Sequence, residues 1–219
     1  MSPPPEPSAP SETPAPPEAR DVPGRPRQTR ELILDAAVAC LMENGYAGAS
    51  TLAIQARAGV SRGGLLHHFR SREELLVAAA LHVADTESPR NQERVVRELA
   101  AVPEGRARSD RFVELLWESH HRRFFWAAME LWNAARTDPS LREALRPAER
   151  AVTASVLACV ERTWGPAALG RPGARELRDV LMTSMRGAAL TYAFRDHPPA
   201  TDPRLPAWKD LADRMLHGD

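Results

Sequence analysis

Lysine is almost absent from this 219-residue chain: Lys209 stands alone among 29 basic residues. The arginine bias, with abundant alanine and proline, is a mark of GC-rich coding rather than of function. Cysteine is nearly as rare. Cys40 and Cys159 share no CxxC or paired spacing, which excludes a disulfide framework or zinc ribbon and leaves two buried, reduced thiols. No apolar run approaches the roughly 18 residues that span a membrane, so no membrane partner is expected. The N-terminus lacks the basic start and apolar core of a secretory leader, and a cytoplasmic location follows. Strand alternation and internal repeats are missing. So are GxSxG, HExxH, a phosphate loop and a glycine-rich nucleotide fingerprint. No catalytic residue and no cofactor are therefore expected. His120, His121 and Glu130 come nearest to a metal set, but their spacing is too loose to count as one.

Net charge is also zero, but it is unevenly spread. Between residues 20 and 72 there are eight arginines and four acids, a local balance of +4 on a neutral chain. Such a balance suits a DNA-binding module joined to a module that does not bind DNA. Residues 1–26 hold ten of the twenty prolines and almost no large apolar side chain, the composition of a disordered tail. Arg25, Arg27 and Arg30 at its end form either an arm on DNA or a solvated tail.

Periodicity makes the rest all-α. Helix 1 is predicted over 27–44, with an apolar stripe from Leu32 to Leu41 and a stop at Gly45. Tyr46 reads as core beneath the next helix. Helices at 51–58 and 62–69 follow, joined by a turn in which Gly59 supplies a left-handed backbone. Ser50, Ser61 and Ser71 are placed to cap helices 2, 3 and 4. Helix 4 continues through Val83 towards Leu99, with Pro89 as a break or kink. Residues 103–108 read as a loop. Residues 109–136 carry three of the five tryptophans and three of the five phenylalanines. A short helix from Asp138 to Leu145, another over 147–164, a loop from Gly165 to Gly173, a long helix over 174–195 ended by His197-Pro198-Pro199, and a last helix over 203–217 complete the chain. About nine helices result.

The stretch from Thr51 to Arg72 organises this pattern. Ile54, Val60, Leu65 and Phe69 form its apolar back. Arg62, Gly64, His67 and His68 form a small, basic front that fits a DNA major groove. The string Ala58-Gly59-Val60-Ser61-Arg62-Gly63, Leu65, His67-His68-Phe69, Ser71-Arg72-Glu73 and Leu75 resembles the helix-turn-helix of the tetracycline-repressor (TetR) family. Thr29-Arg30, Ile33 to Ala37 and Asn44-Gly45-Tyr46 extend the resemblance upstream. It implies a three-helix DNA-binding head over 27–87, and a helical effector-binding and dimerisation domain over 88–219. Residues 125–150 look like the effector half of some family members.

By position, the resemblance implies that Thr51 bonds a phosphate and Arg62 a guanine edge or phosphate. Gly63 and Gly64 let the backbone approach the bases. His67 and His68 take phosphate or sugar, and Arg72 replaces the family's usual lysine as a phosphate ligand. Leu66 stands where a tyrosine usually contacts DNA, and there it packs on a thymine methyl. Leu52 replaces a polar reader, and Gln55 a small alanine. Base readout should then be modest, with more weight on phosphates and DNA shape.

The aromatic density at 112–132 suggests a pocket lined by Trp117, His120, Phe124, Met129 and Trp132, suited to an apolar or aromatic small-molecule effector. The resemblance assigns homodimerisation to about 174–195 and 203–217, and a near-palindromic double-stranded operator to the dimer. A helical ligand carrier and a DNA-architectural protein without effector control are the competing readings.

Overall fold

The computed structural model describes residues 25–170, 173–192 and 198–217; most of the proline-rich tail over 1–26 lies outside them. Among the described residues there are nine α-helices, one 3-10 turn and no strand. They are α1 (Arg25–Gly48), α2 (Thr51–Ala58), α3 (Arg62–His68), α4 (Arg72–Ala100), α5 (Arg106–Ser119), α6 (Arg123–Ala135), α7 (Pro139–Leu169), α8 (Ala174–Thr191) and α9 (Leu205–His217), with the 3-10 turn at Pro199–Thr201 before α9.

The head is built by local signals. Ser50, Ser61 and Ser71 each accept a hydrogen bond from the backbone N–H three residues on, at 3.1, 3.1 and 3.0 Å. Each such cap is worth about 1 kcal/mol against alanine. Gly59 closes α2 at φ 67°, ψ 28°, and its turn is completed by Val60 N–H donating to the Gln55 carbonyl at 3.1 Å. Gly45 also acts as expected: at φ 65°, ψ −179° it leaves the helical region, and the chain makes one more turn to Gly48. The head core is Ile33, Leu34, Ala37, Leu41, Ile54, Leu65, Phe69, Leu75 and Leu76, all essentially inaccessible. This core does not stop at the head. Ala127 and Leu131 of α6 and Leu141 and Leu145 of α7 are buried in the same cluster.

Two helices are continuous across prolines: α4 is unbroken through Pro89, and α7 is one helix across Pro147 where two were expected. An interior proline costs about 3 kcal/mol. Here Val83, Ala84, Val95 and Leu99 are buried on both sides of Pro89, and Leu145, Ala148 and Val160 on both sides of Pro147. α4 and α7 pack along each other, and that burial outweighs the lost backbone bonds. The expected boundary at 87/88 falls inside α4. α7 also reaches Leu169, past Gly165-Pro166, where a loop was expected. Conversely, the aromatic stretch 109–136 is divided: the chain leaves α5 at His120 and re-enters helix at Arg123.

A second core joins α5, α6, α8 and α9 through Val113, Trp117, Phe125, Leu181, Met185 and Trp208. A third joins α4, α5 and α7 through Val95, Leu99, Phe112, Leu115, Cys159 and Val160. Both cysteines are free and buried. Residues 193–197, including the expected helix end at His197, lie outside the described residues. No helix among the described residues is long and apolar enough to cross a membrane.

Candidate nucleic-acid interface and ligand cavity

α2 and α3 present one face inward through Ile54 and Leu65 and the other to solvent. Thr51 is the first residue of α2, Arg62 the first of α3, and Arg72 the first of α4. Arg62, Gly63, Leu66 and His67 are exposed; Thr51, Gly64, His68 and Arg72 are partly covered. Leu52 and Leu66 are 68% and 45% accessible, large apolar side chains on an otherwise polar face. α2 is pinned to α1 by a two-pronged ion pair in which Arg57 Nη2 donates to Glu43 Oε1 at 2.7 Å.

The glycines of α3 have no internal need to be glycine. A Cβ built on Gly63 meets only Ser61 Oγ, at 3.9 Å, and one on Gly64 meets Ser61 Oγ at 3.4 Å and Val60 Cβ at 3.9 Å. Both are ordinary contacts. The protein interior therefore leaves room for alanine at either position.

Two of the basic side chains are also engaged within the head. Arg72 turns inward: Nε donates to the Ala49 carbonyl at 2.9 Å, Nη2 donates to the Tyr46 carbonyl, and the guanidinium lies 4.3 Å over the Tyr46 ring. It fastens the α1–α2 connection to α4, with only part of its donor set turned elsewhere. His68 is half-buried. Burial, then the charges of His67 and Arg30, hold its imidazole below the ordinary histidine range, so it is neutral at pH 7. Arg30, expected in an arm beside the tail, instead lies within α1, which begins at Arg25, and its guanidinium sits 5.4 Å over the Phe69 ring.

The bundle holds a cavity of about 120 Å³ enclosed by α4, α5, α6, α7 and α8. Phe124, Met129 and Trp132 line it from α6, with His120 from the α5–α6 link, as the sequence pattern proposes. Trp117 does not. It is 1% accessible and packs in the second core, its ring centroid 4.6 Å from His121 and 4.9 Å from Trp208. It lies in the last turn of α5 and faces Trp208 of α9.

The sequence pattern also misses the far walls: Asn91 and Gln92 of α4, Ser155 and Cys159 of α7, and Met182 and Arg186 of α8. One signal was available. Arg186 is the lone charged residue between Val180 and Ala193. His120 is buried, and its Nδ1 bonds the Leu116 carbonyl at 2.9 Å. Desolvation pushes its pKa down to about 4, against the raising effect of that hydrogen bond, so the ring is neutral.

α6 is shared by cavity and head. Its Glu130 accepts from the Tyr46 backbone N–H at 2.8 Å, and a Cβ on Gly45 would stand 3.0 Å from the same carboxylate. Glu130 is thus committed to the α1 turn, not to His120 or His121. Among the described residues no cluster of histidine, cysteine and acid fits a metal ion. A second, smaller space of about 50 Å³ lies between α1, α4, α6 and α7, and Val83, Ala128, Trp132 and Val152 line both spaces.

Comparisons with known proteins fit this geometry. Residues 33–79 match the model described as bacterial regulatory proteins, tetR family. The chain is 31% identical, over 65% of its own length and 67% of the relative's, to the HTH-type transcriptional repressor AcnR of Corynebacterium diphtheriae. It is 29% identical to an HTH-type transcriptional regulator of Mycobacterium tuberculosis, over 86% of this chain and 94% of that one. The crystal structure of the multidrug binding protein EbrR in complex with imidazole superposes with a TM-score of 0.58 at 26% identity, covering 85% of this chain and 94% of that one.

Proposed function

The chain belongs to the TetR family of transcriptional regulators, and from that premise we propose that it is a homodimeric repressor that leaves its operator when a small molecule fills the α4–α8 cavity. The observation that carries this reading is the double use of α6. One helix lines the cavity with Phe124, Met129 and Trp132 and holds the Gly45–Tyr46 turn of the head through Glu130. A ligand that wedges Trp132 or Met129 displaces α6, and the displacement reaches α1 directly. Binding then shifts the population between DNA-competent and incompetent spacings of two heads.

On DNA, Arg62 and His67 are the base and phosphate contacts of α3, with Leu66 against a thymine methyl. Gly63 and Gly64 bring the backbone close. Thr51 and the N-terminal amides of α2 hold a phosphate. Arg72 contributes mainly by fixing the head, and His68 by a neutral hydrogen bond. The head extends through 27–87 and the effector and dimer half through 88–219, with α4 common to both.

Dimerisation is assigned to α8 and α9. Val180 and Leu190 of α8 are 42% and 47% accessible, and with Thr183 and exposed Gly187 they form one stripe at helical spacing. Repression, as in the name of the Corynebacterium relative, and small-molecule binding, as in that of EbrR, are the assignments these relatives favour. The effector's body is apolar or aromatic.

The test is Arg62→Ala against a selected operator at fixed salt. Loss of about 1–3 kcal/mol per contact with relaxed specificity at one base pair supports the assignment. Unchanged specific binding removes Arg62 from the reading face.

A further inference from the structure

The partly buried arginines of this bundle have a regular habit. Arg94 pairs with Glu98 and Glu118, both near 3 Å, and Arg111 pairs with Glu98, Glu114 and Glu118. Arg186 breaks it. It lines the cavity from α8, and its guanidinium lies 4.4 Å over the Trp132 ring. Its Nε is buried without a hydrogen-bond partner, and it makes no ion pair among the described residues. The one acid whose field reaches it, Glu149, has an oxygen taken by Thr153 Oγ1 at 3.1 Å. Desolvation accordingly holds the guanidinium below its ordinary pKa, though it stays charged. An uncompensated, part-buried cation costs folding free energy. The rest of the wall carries no charge: it is mostly apolar, as at Phe124, Met129 and Met182, and its polar members are Asn91, Gln92, Ser119, Ser155 and the neutral His120.

We propose that the effector is an organic monoanion, with a ring or short chain in the apolar part of the cavity and a carboxylate on the Arg186 guanidinium. This rests on the cavity being the effector site. A guanidinium lying over an indole keeps N–H donors that can meet a carboxylate as a fork. The anion supplies the charge that the fold withholds. Neutral His120 adds no competing cation. The free space, about 120 Å³, is of the order that holds one small ring.

The experiment titrates the full chain with benzoate, phenylacetate and hexanoate, and with benzamide, phenylacetamide and hexanamide, following tryptophan fluorescence. Trp132 beneath the guanidinium is the reporter. Carboxylates are expected to bind at least ten-fold more tightly than the matching amides, and Arg186→Met is expected to erase that preference. Circular dichroism and thermal unfolding verify that the variant is folded; if it is not, Arg186→Lys takes its place and should narrow the preference. Equal binding of acids and amides by the natural chain overturns the anion proposal alone. So does a preference that survives Arg186→Met. Binding by neither class overturns the cavity reading and this proposal with it.

Discussion

Gly63 and Gly64 open α3 at some cost to stability, and replacing them separates folding from DNA binding. At either site an alanine Cβ meets nothing closer than Ser61 Oγ at 3.4 Å. Neither glycine adopts a positive φ. Alanine is favoured over glycine in a helix by up to about 1 kcal/mol, mostly by restricting the unfolded chain. Gly63→Ala,Gly64→Ala should therefore raise the melting temperature by a few degrees, since about 1 kcal/mol moves a chain of this size by roughly 2–4 °C. On DNA the sign reverses. Two methyl groups at the exposed start of the reading helix hold the backbone off the base edges. A loss of about 1–3 kcal/mol per half-site is the scale of one mismatched base pair. With two half-sites in a dimer, the affinity falls about 30-fold or more. The assay is calorimetric unfolding beside operator binding at one salt concentration. A variant that is more stable and binds DNA as tightly as the natural chain refutes the idea that these glycines serve close approach.

Three further outcomes follow from particular contacts. His120 is neutral in the fold, with a pKa near 4 against 6.5 for the ordinary group. Its contribution to stability is complete above about pH 6.5 and is lost as pH falls towards 4, because the unfolded chain then binds a proton that the fold refuses. Up to about 3 kcal/mol is at stake. His120→Gln should flatten the stability curve in that window, and an unchanged slope argues against a buried neutral imidazole. Arg72→Lys loses the fork on the Ala49 and Tyr46 carbonyls and should cost about 1–2 kcal/mol of stability. An unchanged melting temperature with weakened operator binding would make Arg72 a phosphate ligand instead. Glu130→Ala strands the Tyr46 N–H and should cost about 1–3 kcal/mol of stability. It should also weaken ligand-induced release of DNA while sparing ligand affinity. Equal loss of affinity and release would place Glu130 in the ligand site.

The head was legible in the sequence because its determinants are local. Three serines three residues before an N–H, and a glycine at each of two turns, set element boundaries whatever surrounds them. Ile54, Leu65 and Phe69 form its back by spacing alone. Pro147 misled for the opposite reason: a local penalty was overridden by the long α4–α7 contact, which no single stretch encodes. Trp117 and Trp132 have the same composition around them, yet one is core and the other cavity wall. The difference is which helix crosses over each. Arg72 reads as a surface cation until the α1–α2 carbonyls are seen beside it. Arg186 and Glu130 gain their meaning only from partners on other helices, or from the lack of one.

Specific DNA recognition by a dimer is what all of these roles serve. Purified protein is mixed with a pool of random and genomic duplexes at near-physiological salt, and the retained fraction is sequenced. The prediction is enrichment of one near-palindromic site with half-sites about one helical turn apart. Retention that weakens with salt but shows no sequence preference would contradict it, and would mean that Leu52 and Leu66 mark a face that binds backbone without reading bases.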